Sequence, residues 1–413
     1  MSPRTTTASI GPWRASSPLR VLTYSHDSCG LGHLRRSVTI AEAITEQEPN
    51  AEIVCVSGSP VPEMFPLPPR TELLKLPSIS KDDGGNYRSR HLPLSFGELA
   101  QLRSDLITAA IRAFRPDLVV VDHTAAGPGQ ELLPALEVLR REQPGTRVAL
   151  GLRDILDAPA RARVEFAQTR AFDRIRQHYD MVLVYGQREV FDVAVEYAMP
   201  ADIAARIQYV GAVVPEAALA ARAERRADRS CPHLVFTAGG GEDGSRLLRD
   251  AATALRGPMR DERLRATFVT GPLAPKDDCE RLHMMLCADA RCRVERSVQD
   301  LPHLLADADL VVGMGGYNTV YETLALGVPM LAVPRRGPRL EQFERCRRLA
   351  AGGHLLVLTP DSAGDPDKLA ESIAAARASR TLHRPLSFGG ARRAAELLLA
   401  AVHAGRSAIA LAP

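Results

Sequence analysis

The sequence lacks the patterns that mark a disulfide scaffold or a zinc-binding protein. It has seven cysteines, which is an odd number, and no two of them form a C-x-x-C pair. Paired cysteines at short spacing are typical of both kinds of protein. We therefore expect a protein of a reducing compartment, with no disulfide framework and no metal site.

Long apolar runs are also missing. No stretch reaches the roughly 20 apolar residues that a helix needs to cross a bilayer. Residues 1–18 are rich in Ser, Thr, Pro and Arg and contain no apolar segment of a signal peptide, so we expect a disordered tail there. The net charge of +3 over 413 residues is too small to favour nucleic acid as a partner. These absences predict a cytoplasmic protein without a transmembrane segment, and peripheral contact with a membrane stays open.

Several common catalytic motifs are absent. There is no G-x-x-x-x-G-K-[ST] phosphate loop, no H-E-x-x-H zinc motif and no G-x-S-x-G nucleophile turn. The chain is otherwise that of an ordinary globular protein, with 45% hydrophobic and 24% charged residues. Its length suits two domains of ordinary size.

The most informative stretch runs from Asp307 to Leu349. Apolar runs at 310–313 and 330–333 predict two buried strands, and the segment 320–326 predicts a helix between them. The turn Gly315-Gly316-Tyr317-Asn318-Thr319 joins the first strand to the helix. Glycines let a ligand approach the backbone, and the start of a helix attracts phosphate.

Two side chains of this stretch suit a nucleotide. Thr319 lies near the predicted helix start, where it can cap the helix or donate to a phosphate oxygen. Glu322 lies one turn further on, where its carboxylate can bridge the hydroxyls of a ribose. An ordinary strand–helix–strand crossover with a tight glycine turn is the alternative.

Each half of the chain opens with a strand, a glycine-containing loop and a helix. The first half has strand 19–24, the loop 25–33 and helix 34–45, and Arg35 stands where a dinucleotide-binding loop has its third glycine. The second half has strand 234–237, the loop Gly239-Gly240-Gly241 and helix 245–255. A triple-glycine turn between strand and helix is a suitable cradle for phosphate, although Glu242 and Asp243 would repel it unless they point away.

The stretch around Glu322 resembles the C-terminal domain of GT-B glycosyltransferases of family 28, whose type enzyme adds N-acetylglucosamine to a lipid-linked peptidoglycan precursor. The resemblance is carried by Gly315-Gly316, Thr319-Val320-Tyr321-Glu322, Gly327-Val328-Pro329 through Val333-Pro334, and Glu341-Gln342. It implies an α/β protein of the GT-B fold, with two Rossmann-like domains facing a central cleft.

The resemblance also implies the parts of a donor site. Glu322 would hold the donor ribose, Gln342 would lie near the donor sugar, and Val298 would mark the place of the nucleotide base. The remaining predicted donor-binding residues are Gly239, Gly240, Gly241, Gly315, Gly316, Asn318 and Thr319.

In the first half, the loop with Gly30, Gly32 and His33 resembles the G-x-G-H segment of family 28 and of UDP-sugar hydrolases and 2-epimerases. His33 is the predicted catalytic base, and the helix dipole would help to keep its ring neutral. Asp122-His123 ends a predicted strand 116–122 and should face the same cleft. A capping or packing role for His33, and local turn contacts for Asp122-His123, stay open.

Neighbouring charged residues leave further alternatives. Arg35 and Arg36 are either phosphate ligands or part of a solvated helix face. Arg153-Asp154 follows strand 148–152 and also faces the predicted cleft. Asp307-Ala308-Asp309 imitates a metal-binding D-x-D motif, but it directly precedes a strand, so we interpret it as a helix end and strand entry.

We predict a disordered tail at 1–18, an acceptor-binding domain at 19–212, a linker at 213–232, a donor-binding domain at 233–386 and a C-terminal helix at 387–413 that packs back on the first domain.

The predicted function is transfer of a sugar from a nucleotide diphosphate donor, UDP-linked by resemblance, to an unknown hydroxyl acceptor, with no cofactor and no metal. Met330 stands eight residues after Glu322, where retaining enzymes of this fold carry a second glutamate, so we expect inversion. The alternatives are a UDP-sugar hydrolase or 2-epimerase on the same fold, and a non-catalytic nucleotide-sugar-binding protein.

Overall fold

The computed structural model describes residues 17–27, 31–82, 86–221, 231–260, 262–378 and 385–410. Gly30, most of the predicted tail (1–16) and part of the predicted linker (222–230) lie outside these residues.

The first half of the chain alternates strands and helices. Its strands are β1 (Arg20–Ser25), β2 (Glu52–Ser57), β3 (Thr71–Lys75), β4 (Ile79–Lys81), β5 (Tyr87–Ser89), β6 (Leu118–Asp122), β7 (Arg147–Arg153), β8 (Met181–Tyr185) and β9 (Ile207–Tyr209). Its helices are α1 (Gly32–Gln47), α2 (Phe96–Phe114), α3 (Leu133–Glu142), α4 (Pro159–Gln168), α5 (Ala171–His178), α6 (Val193–Glu196), α7 (Ala201–Ala204) and α8 (Glu216–Ala221), with a 3-10 turn at Pro62–Met64.

Within the described residues, the first sheet has the order β3-β2-β1-β6-β7-β8-β9, and all of its strand pairs are parallel. The continuous apolar run of β6 is buried throughout, as expected for a strand covered by helices on both faces. The strand order reverses between β1 and β6, and ligands of open α/β sheets bind at the carboxyl ends of strands at such a point.

The second half repeats this architecture. Its strands are β10 (His233–Thr237), β11 (Arg265–Val269), β12 (Cys292–Glu295), β13 (Leu310–Gly313), β14 (Met330–Ala332) and β15 (Leu356–Val357). Its helices are α9 (Ser245–Arg256), α10 (Lys276–Leu286), α11 (Leu301–Ala306), α12 (Tyr317–Ala325), α13 (Glu341–Ala351), α14 (Pro360–Ala363), α15 (Pro366–Ala378) and α16 (Gly390–Ala410). The parallel sheet has the order β12-β11-β10-β13-β14-β15, so its reversal lies between β10 and β13.

The last helix returns to the first sheet. Ala394, Leu398 and Val402 of α16 share a buried cluster with Val21 of β1 and Ile40 of α1. Arg406 adds an ion pair with Asp117, at 2.8 Å. Among the described helices, none is both long enough and apolar enough to cross a membrane.

The predicted α/β class with two Rossmann-like halves is confirmed, whereas some local boundaries differ. Helix α12 begins at Tyr317 and not at Val320, because Gly316 has an extended backbone (φ −62°, ψ 147°) and acts as the N-cap. Asn318 and Thr319 therefore lie in the first helical turn. The segment predicted as a linker contains α8 before residue 222. The predicted domain limits themselves stay a proposal.

Candidate functional site

The reversal points of the two sheets bring the predicted residues to one interdomain cleft. His26 and His33 follow β1, Asp122 ends β6 and His123 follows it, while Arg153 ends β7. The N-terminus of α12 approaches from the second domain. A side chain added at Gly32 of α1 would lie 3.4 Å from the amide nitrogen of Asn318. The acceptor and donor halves predicted from the sequence are thus adjacent.

On the first-domain side, His33 is bound to a carboxylate. Its Nδ1 lies 2.5 Å from Asp122 Oδ2, and both side chains are buried. Arg36 clamps the same carboxylate, with Nε 3.2 Å from Oδ1 and Nη2 2.7 Å from Oδ2. Burial alone would raise the pKa of Asp122, but Arg36 and His33 outweigh it and lower that pKa to about 2. The carboxylate therefore stays ionised. Arg36 Nη2 also lies 3.0 Å from Nδ1, but the carboxylate oxygen is closer and can only accept, so the Nδ1–H tautomer is favoured and Nε2 is left as the acceptor.

The neutrality of His33 has a different main cause from the predicted one. Burial lowers its pKa most, and Arg36 lowers it further, whereas Asp122 acts in the opposite direction. The assignment of Arg36 to a phosphate contact or a solvated face was wrong, because its side chain is 2% exposed and bound to Asp122. The sequence signal that could have found it is its position three residues after His33, on the same helix face.

Three imidazole rings meet at this place. The ring centroids of His26 and His33 are 4.4 Å apart, those of His33 and His123 are 5.2 Å apart, and those of His26 and His123 are 5.7 Å apart. Burial is the main reason that the pKa values of His26 and His123 lie well below 6.5. In the described part of the chain, the Nδ1 atoms of His26 and His123 are buried without a hydrogen-bond partner. Asp122 contacts His33 and Arg36, and His123 packs against the rings of His26 and His33, so the cleft role of Asp122 and His123 stays a prediction.

On the second-domain side, α12 starts without a side-chain cap, and the space beside Gly316 is open. Its neighbour Gly315 has φ +81°, and a Cβ there would lie 2.4 Å from the sulfur of Cys346. Thr319 Oγ1 lies 3.7 Å from the position of a Cβ on Gly239, so the α12 start and the triple-glycine loop face each other. Free N–H groups of a helix start beside a glycine loop can bind a diphosphate.

The triple-glycine loop also has a packing role. Gly241 has φ +98°, and a Cβ there would lie 2.6 Å from the carbonyl oxygen of Thr270. The two carboxylates that follow are paired with arginines, since Glu242 lies 3.2 Å from Arg90 and Asp243 forms an ion pair with Arg335. The repulsion expected from these acids is therefore partly neutralised.

The other predicted donor residues are placed as follows. Glu322 is 2% exposed, and its Oε2 lies 2.7 Å from Arg35 Nη2 of the first domain. Burial raises the pKa of Glu322, and Arg35 opposes that rise. Gln342 is buried in the first turn of α13, where its side-chain oxygen accepts from the backbone N–H of Arg335 (3.4 Å). Val298 packs, half-buried, against a cluster that includes Val269.

Sequence reasoning missed a buried contact between the domains. Arg345 of α13 makes two hydrogen bonds of 2.7 Å to the carboxylate of Asp154, just after β7. Tyr321 of α12 donates to the same carboxylate at 2.9 Å. Tyr317 Oη donates to the carbonyl oxygen of Tyr185 at 2.9 Å. Only the placement of Asp154 at a strand end was visible in the sequence, and nothing local marked Arg345 or Tyr321.

The segment Asp307-Ala308-Asp309, which imitates a metal-binding motif, lies at the opposite edge of the second sheet. Asp309 Oδ2 accepts from the backbone N–H of His233 at 2.8 Å, and Asp307 lies 3.3 Å from Arg265. These contacts are at the amino ends of β10, β11 and β13, away from the α12 start. Across the described ranges, no group of three or more His, Cys, Asp or Glu residues is arranged to hold a metal ion.

Comparison with known proteins gives a family match for part of the chain. Residues 282–385 match the model of the glycosyltransferase family 28 C-terminal domain. A 164-residue segment is 32% identical to the UDP-N-acetylglucosamine--N-acetylmuramyl-(pentapeptide) pyrophosphoryl-undecaprenol N-acetylglucosamine transferase of Rhodopseudomonas palustris. The match covers 39% of this chain and 43% of that relative, so it spans less than half of either protein.

Solved structures share the fold at low sequence identity. Acinetobacter baumannii MurG matches with a TM-score of 0.55 and 16% identity, over 93% of this chain and 100% of that one. The UDP-GlcNAc 2-epimerase of Methanocaldococcus jannaschii matches with a TM-score of 0.59 and 12% identity, over 93% and 100% of the two chains. Residues 282–385 therefore match the glycosyltransferase family 28 C-terminal domain, within a chain that has the GT-B fold and resembles the glycosyltransferases of that family.

Proposed function

We propose that the protein transfers a sugar from a UDP-sugar to a hydroxyl group of an acceptor, with inversion and without a metal ion. The observation that carries this proposal is the position of the His33–Asp122 pair opposite an open helix start that leads to Glu322. The family 28 domain supports the reaction class. The printed name of the Rhodopseudomonas palustris relative supports UDP-N-acetylglucosamine as the first donor to test.

The second domain would bind the donor. The first N–H groups of α12, Thr319 and the loop at Gly239 would receive the diphosphate, and Glu322 would accept hydrogen bonds from the ribose. By resemblance, Val298 would lie beside the base and Gln342 near the sugar. The helix start would stabilise the negative charge that develops on the leaving diphosphate, which is the task that a metal ion performs elsewhere.

The first domain would supply the base. The acceptor hydroxyl loses its proton to Nε2 of His33 while its oxygen forms the bond to the anomeric carbon. The bond from that carbon to the phosphate oxygen breaks, and the nucleoside diphosphate leaves with the electron pair. Asp122 stabilises the imidazolium that forms, because its low pKa keeps it ionised throughout. A single displacement of this kind inverts the anomeric centre.

The second candidate is hydrolysis or 2-epimerisation of a UDP-sugar. The specific observation in its favour is the three-histidine cluster, because two further buried imidazoles beside His33 could activate water or move protons on the sugar. Product analysis separates the candidates: a transferase makes a glycoside only with an acceptor, a hydrolase releases free sugar, and an epimerase changes the sugar of the nucleotide. A non-catalytic binder produces none of these.

The first test measures the binding of UDP, GDP, TDP and ADP to the wild type and to Glu322→Ala by thermal shift and by calorimetry. We expect stabilisation by UDP in the wild type, and at least a tenfold weaker affinity in the variant, because a ribose hydrogen bond to a charged group contributes about 1.5–3 kcal/mol. Glu344→Ala, on the nearby helix α13 and away from the proposed donor contacts, serves as the control. Equal stabilisation of wild type and Glu322→Ala, or none by any nucleotide, would contradict the proposed donor site.

A further inference from the structure

One ion pair in the cleft occupies the residue that the proposed donor would use. Arg35 Nη2 of α1 lies 2.7 Å from Oε2 of Glu322 on α12, so the pair joins the two domains. The Glu322 side chain is 2% exposed, whereas that of Arg35 is 20% exposed. Arg35 contacts only Oε2, but the carboxylate has almost no other open surface. Two ribose hydroxyls can therefore reach Glu322 only when the Arg35 side chain moves aside.

The neighbouring arginine is not exchangeable in this way. Arg36 is 2% exposed and contacts both oxygens of Asp122, which belongs to its own domain. Arg35 has instead a partner in the other domain and a side chain with room to move. The two arginines are adjacent in sequence, but their contacts differ in kind.

The displaced guanidinium has a destination close by. Gly32, one turn before Arg35 on α1, lies against Asn318 in the first turn of α12. Helical side chains point back towards the N-terminus of their helix, so the Arg35 side chain can swing towards Gly32 and thereby towards the start of α12. That helix start is where the donor diphosphate would lie, and guanidinium groups bind phosphate with paired hydrogen bonds.

We propose that Arg35 is a positioning residue that exchanges partners when the donor binds: it neutralises Glu322 in the free protein and binds the donor diphosphate once the ribose hydroxyls occupy Glu322. This inference rests on the proposed donor site. It implies that the ribose and the diphosphate are sensed together, because each is needed to complete the exchange. It also implies that Arg35 opposes binding of a nucleoside and favours binding of a nucleoside diphosphate.

The opposite effects of Arg35 on the binding of a nucleoside and of a nucleoside diphosphate give a test. Affinities of uridine and UDP are measured by calorimetry for the wild type, Arg35→Ala and Glu322→Gln. In Arg35→Ala, uridine should bind about threefold or more tightly, because no ion pair must be broken. The ratio of the uridine and UDP dissociation constants should fall about tenfold or more, because the diphosphate loses its guanidinium partner. Glu322→Gln releases Arg35 without removing it. In this variant UDP should still bind more tightly than uridine, by about the same ratio as in the wild type.

Arg348→Ala is the matched control. Arg348 is 23% exposed and pairs at 2.7 Å with Glu196, which also lies in the other domain. Its loss should leave the uridine-to-UDP ratio unchanged. Equal weakening of uridine and UDP in Arg35→Ala would show a purely structural role and overturn the inference, as would unchanged values for both.

Failure of the proposed function gives a different result. If the wild type binds neither uridine nor UDP, the donor site is refuted and the exchange with it. Thermal unfolding of the single and double variants at Arg35 and Glu322, without any nucleotide, still reports whether the ion pair exists. If the wild type binds UDP but the signs described for Arg35→Ala are not found, only the exchange is refuted.

Discussion

At the scale of single residues, the environment of His33 decides what its ring can do. A histidine that lies free at a helix start would titrate near neutral pH, whereas burial and Arg36 hold the pKa of His33 lower and Asp122 fixes its tautomer. Nε2 is left as the proton acceptor. The proposed base therefore depends on Asp122, which the sequence placed in the same cleft without pairing it with His33, and on Arg36, which the sequence left open between a phosphate ligand and a solvated face.

Asp122→Asn should impair turnover and leave donor binding intact. The amide can donate to Nδ1, which imposes the wrong tautomer on His33, so we expect a loss in kcat of about 10²-fold or more. Because the carboxylate raises the pKa of His33, the acidic limb of the pH–rate profile should move to lower pH. Steady-state kinetics across pH, with UDP affinity as the control, tests this. Unchanged kcat would contradict the assigned role.

The histidine cluster should make the fold sensitive to acid. The pKa values of His26 and His123 are lowered in the folded protein. Near pH 6.5 these two histidines therefore bind protons in the unfolded chain but not in the folded chain. Stability should therefore fall as pH drops below about 6.5, by about 1.4 kcal/mol per pH unit for each such histidine, until the folded pKa is reached.

Urea unfolding between pH 5 and 8 of the wild type and His123→Asn measures this slope. Asparagine tolerates the left-handed backbone at this position, where φ is +75°. In the variant, the free energy of unfolding should fall less steeply with decreasing pH, by the contribution of one histidine. A slope identical to that of the wild type would show that His123 is not buried in its neutral form.

At the scale of elements, the start of α12 separates a structural glycine from a functional one. Gly315 has a positive φ and lies against Cys346 of α13, whereas Gly316 has an ordinary backbone and open space beside it. The two adjacent glycines thus serve different ends: one lets the strand turn beside α13, and the other leaves the helix N–H groups accessible to a ligand.

Substituting each glycine by alanine should separate these roles. Gly315→Ala should lower stability by about 2 kcal/mol or more, through backbone strain and overpacking against Cys346. Gly316→Ala should change stability by less than about 1 kcal/mol but weaken UDP binding, since its methyl group enters the proposed phosphate site. Denaturant unfolding and calorimetry measure the two effects. Normal UDP affinity in Gly316→Ala would place the diphosphate elsewhere.

At the scale of the whole molecule, the two domains are joined by a fully buried ion pair. Arg345 and Asp154 are 0% and 2% exposed, and Tyr321 completes the carboxylate's hydrogen bonds. A buried pair of this kind contributes less to net stability than to fixing one arrangement, because both charges lose their hydration. It therefore sets how the two domains face each other.

Arg345→Met should lower the free energy of unfolding by about 3–5 kcal/mol, because it leaves the Asp154 carboxylate buried without its cation. The double variant Arg345→Met with Asp154→Asn should recover part of this loss. Arg348→Met, which breaks a partly exposed interdomain pair, should lose about 1 kcal/mol or less. Urea unfolding gives the energies, and small-angle scattering shows whether the domains separate. Equal losses in Arg345→Met and Arg348→Met would contradict this account.

The local sequence was enough to predict the strands, the helices and the glycine loops between them, because these depend on residues that are close along the chain. The apolar runs of β6, β10 and β13 predicted strands, and the glycines between strand and helix predicted the two loops of the cleft. The placement of Glu322 one turn into a helix followed from its spacing after Gly316. The resemblance to family 28 rests on the same short patterns, and residues 282–385 confirm it.

Tertiary structure alone decided which charged groups meet. His33 and Asp122 are 89 residues apart, Asp154 and Arg345 are 191 apart, and Arg35 and Glu322 are 287 apart. The sequence placed His33, Asp122 and Glu322 at the site, but it did not show which partner each of them has. In each pair a buried carboxylate faces a cation or imidazole that only the tertiary fold brings to it, because a charge removed from water must find an opposite charge nearby.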